Sequence, residues 1–150
     1  MKTFDAILKE TRFFQDLKPE YIDIIAGCGS NARFDPGDYI FREGEPANTF
    51  YLIRHGQVVI ELHDPRRGQL PIYTVHEDDI LGWSWLFPPY KWHFSARAVS
   101  LTRAIALDGA CLRGKCDADT DLGYELMKRF AAIVIDRLHA TRLQVLDIYG

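Results

Sequence analysis

"FDPGDYIFREGEPANTFYLIRHGQVVIEL", residues 34–62, sets short apolar runs between regularly spaced turn signals. Pro36-Gly37-Asp38 follows Phe34, Glu43-Gly44-Glu45-Pro46 ends the next run, and His55-Gly56 separates Phe50-Tyr51-Leu52-Ile53 from Val58-Val59-Ile60. Runs this short, bounded by glycine and proline, are too brief for helices and read as antiparallel strands joined by tight turns. Glycine suits such turns because their left-handed backbone would strain a β-branched residue. The pattern continues through "LPIYTVHEDDIL" (70–81) and resumes in "HFSARAVSLTRAIALD" (93–108), which predicts a closed or nearly closed barrel of about eight strands.

The flanks have a different period. Phe4, Ile7, Leu8, Phe13, Phe14 and Leu17, then Tyr21, Ile22, Ile24 and Ile25, follow near-helical spacing broken at "LKPE", where Pro19 suits a first helical position. At the other end Leu122, Leu126, Phe130, Val134, Leu138 and Val145 form a helical stripe after an Asp/Thr-rich start that can cap a helix. The expected organisation is one domain over 1–150, mainly β with flanking α: N-terminal helices in 1–32, the barrel in 33–108, and C-terminal helices in 109–150.

Composition narrows the function. A chain of 150 residues with 47% hydrophobic content supports one core. The formal charge of −3, with no basic block, gives no attraction to nucleic acid. No apolar run approaches the roughly 20 residues that span a bilayer, and the N-terminus lacks a signal-peptide core, so a cytoplasmic protein without membrane contact is expected. Cys28, Cys111 and Cys116 are an odd, irregularly spaced set that reads as free thiols with no assigned role. The five histidines show no metal-ligand spacing, and no nucleophile–base constellation is visible, so neither enzyme activity nor a metal or other cofactor is expected.

The stretch at 34–62 resembles the first strands of the cyclic nucleotide-binding domain of catabolite-activator-type regulators, kinase regulatory subunits and some channels. The likeness rests on the aromatic before Pro36-Gly37-Asp38, on Glu43-Gly44-Glu45, on Phe50-Tyr51-Leu52-Ile53 and on Gly56 before Val58. It extends over the order of helices, jelly-roll and closing helix, and so implies that fold and a regulatory role.

The resemblance also places the family's phosphate-binding cassette at 81–94, "LGWSWLFPPYKWHF", which holds all three tryptophans. In the family a Glu after the cassette glycine holds the ribose, and an Arg pairs with the cyclic phosphate, helped by helix N-terminal amides. Laid on that pattern, Gly82 is kept, but the Glu position is Trp83 and the Arg position is Trp92, or His93 in the form one residue longer. Losing both charged partners removes roughly 3–6 kcal/mol, two to four powers of ten in affinity. Lys91, His93 and Arg97, with the Ser84 hydroxyl and the amides after Gly82, are substitute anion ligands; strand alternation puts Trp92, Phe94 and Ala96 on one face and His93, Ser95 and Arg97 on the other. The candidate pocket is therefore Gly82, Trp83, Ser84, Trp85, Trp92, His93, Phe94 and Arg97. Its occupant is a small-molecule effector, either a nucleotide or an apolar or aromatic compound; alternatively, the tryptophans are core and the protein is a scaffold with a self-filled pocket.

Relatives that act on DNA continue past the closing helix into a helix-turn-helix, whereas this sequence ends at Gly150, so output is expected through a separate effector protein or self-association. The stripe from Leu122 to Val145 is longer than one barrel covers, which predicts a homodimer through this helix.

Overall fold

Strands begin earlier than the hydrophobic pattern indicates. In the computed structural model, which describes residues 3–149 with side chains through 142, the first strand, β1, is Gly29–Phe34. Its sequence GSNARF carries no apolar run, and what makes it a strand is its ladder to a partner, from Gly29 opposite Leu107 to Phe34 opposite Thr102. The boundary expected at 32/33 therefore moves back, and the N-terminal helices end at Ala26: α1 (Phe4–Glu10), a 3₁₀ turn at Arg12–Phe14, and α2 (Pro19–Ala26), with Pro19 in its first turn.

Seven more strands follow: β2 (Tyr39–Phe41), β3 (Thr49–His55), β4 (Val58–Asp64), β5 (Gly68–Val75), β6 (Ile80–Leu81), β7 (Ser95–Ala98) and β8 (Thr102–Asp108). They form two four-stranded antiparallel sheets, ordered β1-β8-β3-β6 and β2-β7-β4-β5. This is the expected eight-stranded jelly-roll. Phe50, Leu52, Ile60, Ala96, Ile105 and Leu107 are buried in the core of the domain. Gly56, with φ of +94°, cannot be replaced without strain, and a Cβ there would also lie 2.4 Å from the Leu101 carbonyl oxygen.

Two helices close the chain. The Asp108 carboxylate accepts the Cys111 amide and so caps α3 (Gly109–Ala118); Asp119 accepts the amides of Asp121 and Leu122 and caps α4 (Thr120–Tyr149). Leu122, Leu126 and Phe130 are wholly buried, and Phe130 meets Phe13 edge-on at 4.9 Å while Arg129 Nη1 donates to the Phe13 carbonyl at 2.6 Å.

The predicted dimer stripe is thus divided. Leu122, Leu126 and Phe130 belong to the chain's own core, because the barrel and the N-terminal 3₁₀ turn cover the start of this 30-residue helix. Beyond that cover Val134 is half-buried and Leu138 exposed, while the Val145 side chain lies outside the described residues. Among the described residues the exposed large apolar side chains of α4 are Tyr124, Met127, Ile135 and Leu138, of which only Leu138 belongs to the predicted stripe. Among the described residues, no helix is long and apolar enough to cross a membrane.

Candidate functional site

β6 hands the chain to the cassette through Gly82, whose φ of +97° is left-handed, and a 3₁₀ turn at Ser84–Leu86 follows. No regular ladder holds the segment down to β7. Instead it is tied to the loop between β2 and β3: Gly44 N–H donates to the Trp92 carbonyl at 2.8 Å, Trp92 N–H to Glu45 at 3.0 Å, and Ala47 N–H to Tyr90 at 2.7 Å. Arg113 of α3 braces it from below, donating to the carbonyls of Trp85 (2.6 Å) and Ala47 (3.2 Å) and to the Asn48 side chain (2.9 Å), with its guanidinium 4.3 Å from the Tyr90 ring centroid.

The three tryptophans have three surroundings. Trp85 is fully buried, stacked on Phe50 at 4.7 Å and edge-on to Phe130 of α4 at 5.3 Å, so it joins cassette, barrel and closing helix in one aromatic cluster. Trp92, 4% exposed, stacks on Phe41 at 3.6 Å with planes 8° apart, and its ring end lies over Gly82, where a Cβ would sit 2.6 Å away. The glycine is therefore needed twice, for its backbone and for the indole above it. Trp83 is only half-buried and leans on Phe94 at 5.0 Å.

The polar candidates do not converge. Arg97 pairs with the buried Glu61 carboxylate, Nε at 3.3 Å and Nη2 at 3.0 Å, and Tyr39 O–H donates to the other Glu61 oxygen at 3.1 Å. This arrangement pushes the Arg97 guanidinium further up, chiefly through its hydrogen bond to Glu61, and raises Tyr39 through burial and the same carboxylate. Arg97 is not a free anion ligand. Lys91 and His93 are exposed, and Ser95 accepts the Glu43 amide at 3.0 Å. The alternation expected for residues 92–97 holds in part: Trp92, Phe94 and Ala96 are buried and His93 is exposed, but Ser95 is buried too. Ser84 Oγ and Trp85 Nε1 are buried with no hydrogen-bond partner among the described residues.

An open cavity of about 250 Å³ remains between the barrel and α4. Trp83 and Phe94 wall it from the cassette, Ile60, Leu62 and Tyr73 from β4 and β5, and Arg137 and Leu138 from α4. Among the described residues Arg137 is its one charged lining residue and its Nε is buried without a hydrogen-bond partner; the guanidinium lies 4.1 Å from the Tyr73 ring centroid. Burial pushes the Tyr73 phenol up to about 12, against the opposing pull of the Arg137 cation. Arg137 also borders a neighbouring cavity of about 190 Å³ with Asp78, Asp79 and Asp136, and none of these carboxylates forms an ion pair with it among the described residues.

Tyr73, Arg137 and Arg113 are absent from the sequence-based candidates. Tyr73 lies in β5 where alternation breaks down, since Ile72 and Tyr73 both line the cavity, and its meeting with Arg137, 64 residues away, depends on where α4 packs. Arg113 carried no signal, since its partners, two backbone carbonyls, the Asn48 side chain and the Tyr90 ring, come from distant segments.

Two four-stranded sheets, a short segment between β6 and β7 and a long closing helix define a jelly-roll module. The chain belongs to the cyclic nucleotide-binding domain family, whose model matches residues 32–119. It is similar to the CRP-like cAMP-activated global transcriptional regulator of Mycobacterium tuberculosis, 25% identical over 144 residues, covering 96% of this chain and 62% of that one. It thus spans less than two thirds of that relative's length. Among solved structures, a protein from Geobacter metallireducens GS-15 described as cyclic nucleotide-binding superposes with a TM-score of 0.82 at 31% identity, over 93% of this chain and 100% of the other. A cyclic nucleotide-binding domain from Methylobacillus flagellatus KT gives 0.79 at 19% identity, over 97% and 82%, a likeness of fold.

Proposed function

We propose that this domain is a non-enzymatic regulatory module that senses a small apolar or aromatic molecule, its cassette having lost the grip on a cyclic phosphate. The observation that supports the reading is the packing of two indoles, Trp92 over Gly82 and Trp83 against the cavity, at the positions the resemblance assigns to the Arg (His93 in the longer cassette) and the Glu. The substitute cations do not replace that grip, since Arg97 is engaged by Glu61 and His93 and Lys91 face outward. The cavity beside Trp83 suits a flat apolar body, and any acidic group on it would be directed to Arg137.

Because the cavity is walled by both barrel and α4, a ligand there stabilises one placement of the helix, which is the output of the module. We propose that this output passes through a homodimer formed on Tyr124, Met127, Ile135 and Leu138, and on to a separate effector protein in the cytoplasm. A scaffold role with a self-filled pocket draws support from Trp85 and Trp92, which already occupy much of the cassette interior. Titration of aromatic compounds followed by tryptophan fluorescence separates the two: the sensor reading predicts a saturable shift that is lost in Trp83→Phe, and a scaffold predicts no response to any of them.

A further inference from the structure

Cys28 and Cys111 are 83 residues apart in sequence, yet their sulfurs lie 3.2 Å apart, with the Cys28 thiol donating to the Cys111 sulfur. Backbone contacts hold them there. Asp108 N–H donates to the Cys28 carbonyl at 3.0 Å, Gly29 is registered opposite Leu107 at the end of the β1–β8 ladder, and Asp108 caps the first turn of α3, which carries Cys111. A disulfide has its sulfurs about 2.05 Å apart, so bonding requires an approach of roughly 1.2 Å, within reach of side-chain rotation on a backbone already tied across this point.

We infer that Cys28 and Cys111 form a reversible disulfide, a redox-modification site that ties α3 to the start of the barrel. The exposed Cys111 is the partner that a small peroxide reaches; Cys28 is half-buried. Ionised Cys111 attacks one peroxide oxygen, the O–O bond breaks, and hydroxide leaves and is protonated to water, which gives a sulfenic acid. The Cys28 sulfur then attacks the Cys111 sulfur; the S–O bond breaks, and the departing hydroxide takes the Cys28 proton as a second water. Two thiols and one hydrogen peroxide become one disulfide and two waters. Burial, with the contact to Cys111, pushes the Cys28 thiol up to about 12, so Cys28 keeps its proton and is not the sulfur that peroxide oxidises first. Cys116 is buried on the same helix and takes no part.

The site has a structural consequence, because α3 is the helix whose Arg113 holds the Trp85 and Ala47 carbonyls and whose Gly109 packs under the Trp85 ring. Oxidation fixes the first turn of the helix that braces the cassette.

The test uses the whole purified chain, reduced and then treated with stoichiometric hydrogen peroxide under native conditions. Titratable thiols should fall from three to one, peptide mapping should join the Cys28 and Cys111 peptides within one chain, and dithiothreitol should restore all three. In Cys111→Ser, an exposed position, the intrachain link should vanish. Retention of three thiols, a link to Cys116, a link only between chains, or Cys111 driven to sulfinic acid with Cys28 still free would each overturn the inference. Mapping of the unmutated chain decides the matter even if a variant folds poorly.

Discussion

Trp83, Trp85 and Trp92 stand within ten positions of one another, and their differing burial predicts differing mutational costs. Trp85→Ala removes a ring stacked on Phe50 and edge-on to Phe130 and should lower stability by about 3–5 kcal/mol in urea unfolding. Trp83→Ala, with part of its ring already exposed, should lose only about 1–2 kcal/mol while widening the cavity. Gly82→Ala combines left-handed strain with a clash against Trp92 and should lose roughly 2–4 kcal/mol. That the family resemblance sets Trp83 and Trp92 at its Glu and Arg positions, with His93 at the latter in the longer cassette, could be stated from the sequence. Which indole fills the core and which faces a cavity could not, because that depends on Phe41, Phe50 and Phe130 arriving from three distant segments.

At the scale of elements, the cassette is held by turn hydrogen bonds of its own, such as Tyr90 N–H to the Phe87 carbonyl, and by ties to its neighbours. Arg113→Ala leaves the Trp85 and Ala47 carbonyls without that donor and should lower stability by about 1–3 kcal/mol. Hydrogen exchange should quicken across Ser84–Tyr90 while β3 and β8 keep their protection. Helix α3 also carries Cys116, whose thiol burial pushes up to about 11 from an ordinary 9.0. Below pH 9 both folded and unfolded chains hold that proton and it contributes nothing. Between about 9 and 11 only the unfolded chain releases it, so stability should fall as pH rises through this window, and Cys116→Ala should reduce the slope. Strands with apolar alternation, such as β3 and β4, could be read from the sequence. β1 could not, since GSNARF is polar and becomes a strand only by pairing with β8, 68 or more residues later.

For the whole molecule, two clusters link the parts that must move together. Phe13, Phe50, Trp85 and Phe130 join N-terminal turn, barrel, cassette and closing helix, and Tyr73 with Arg137 joins β5 to α4 across the cavity. The order of helices, barrel and helix was visible in the change of hydrophobic period, but three residues expected at a dimer surface lie in the chain's own core. A helical stripe says that a face is buried without saying by what, and Leu122, Leu126 and Phe130 turn out to be covered by their own barrel. The remaining exposed face predicts that light scattering at tens of micromolar gives a dimer, and that Ile135→Asp with Leu138→Asp gives a folded monomer. The central claim, that indoles have displaced the groups gripping a cyclic phosphate, is tested most directly by isothermal titration with cyclic AMP and cyclic GMP. The account predicts no binding tighter than the high-micromolar range for either nucleotide; low-micromolar binding of either one would contradict it.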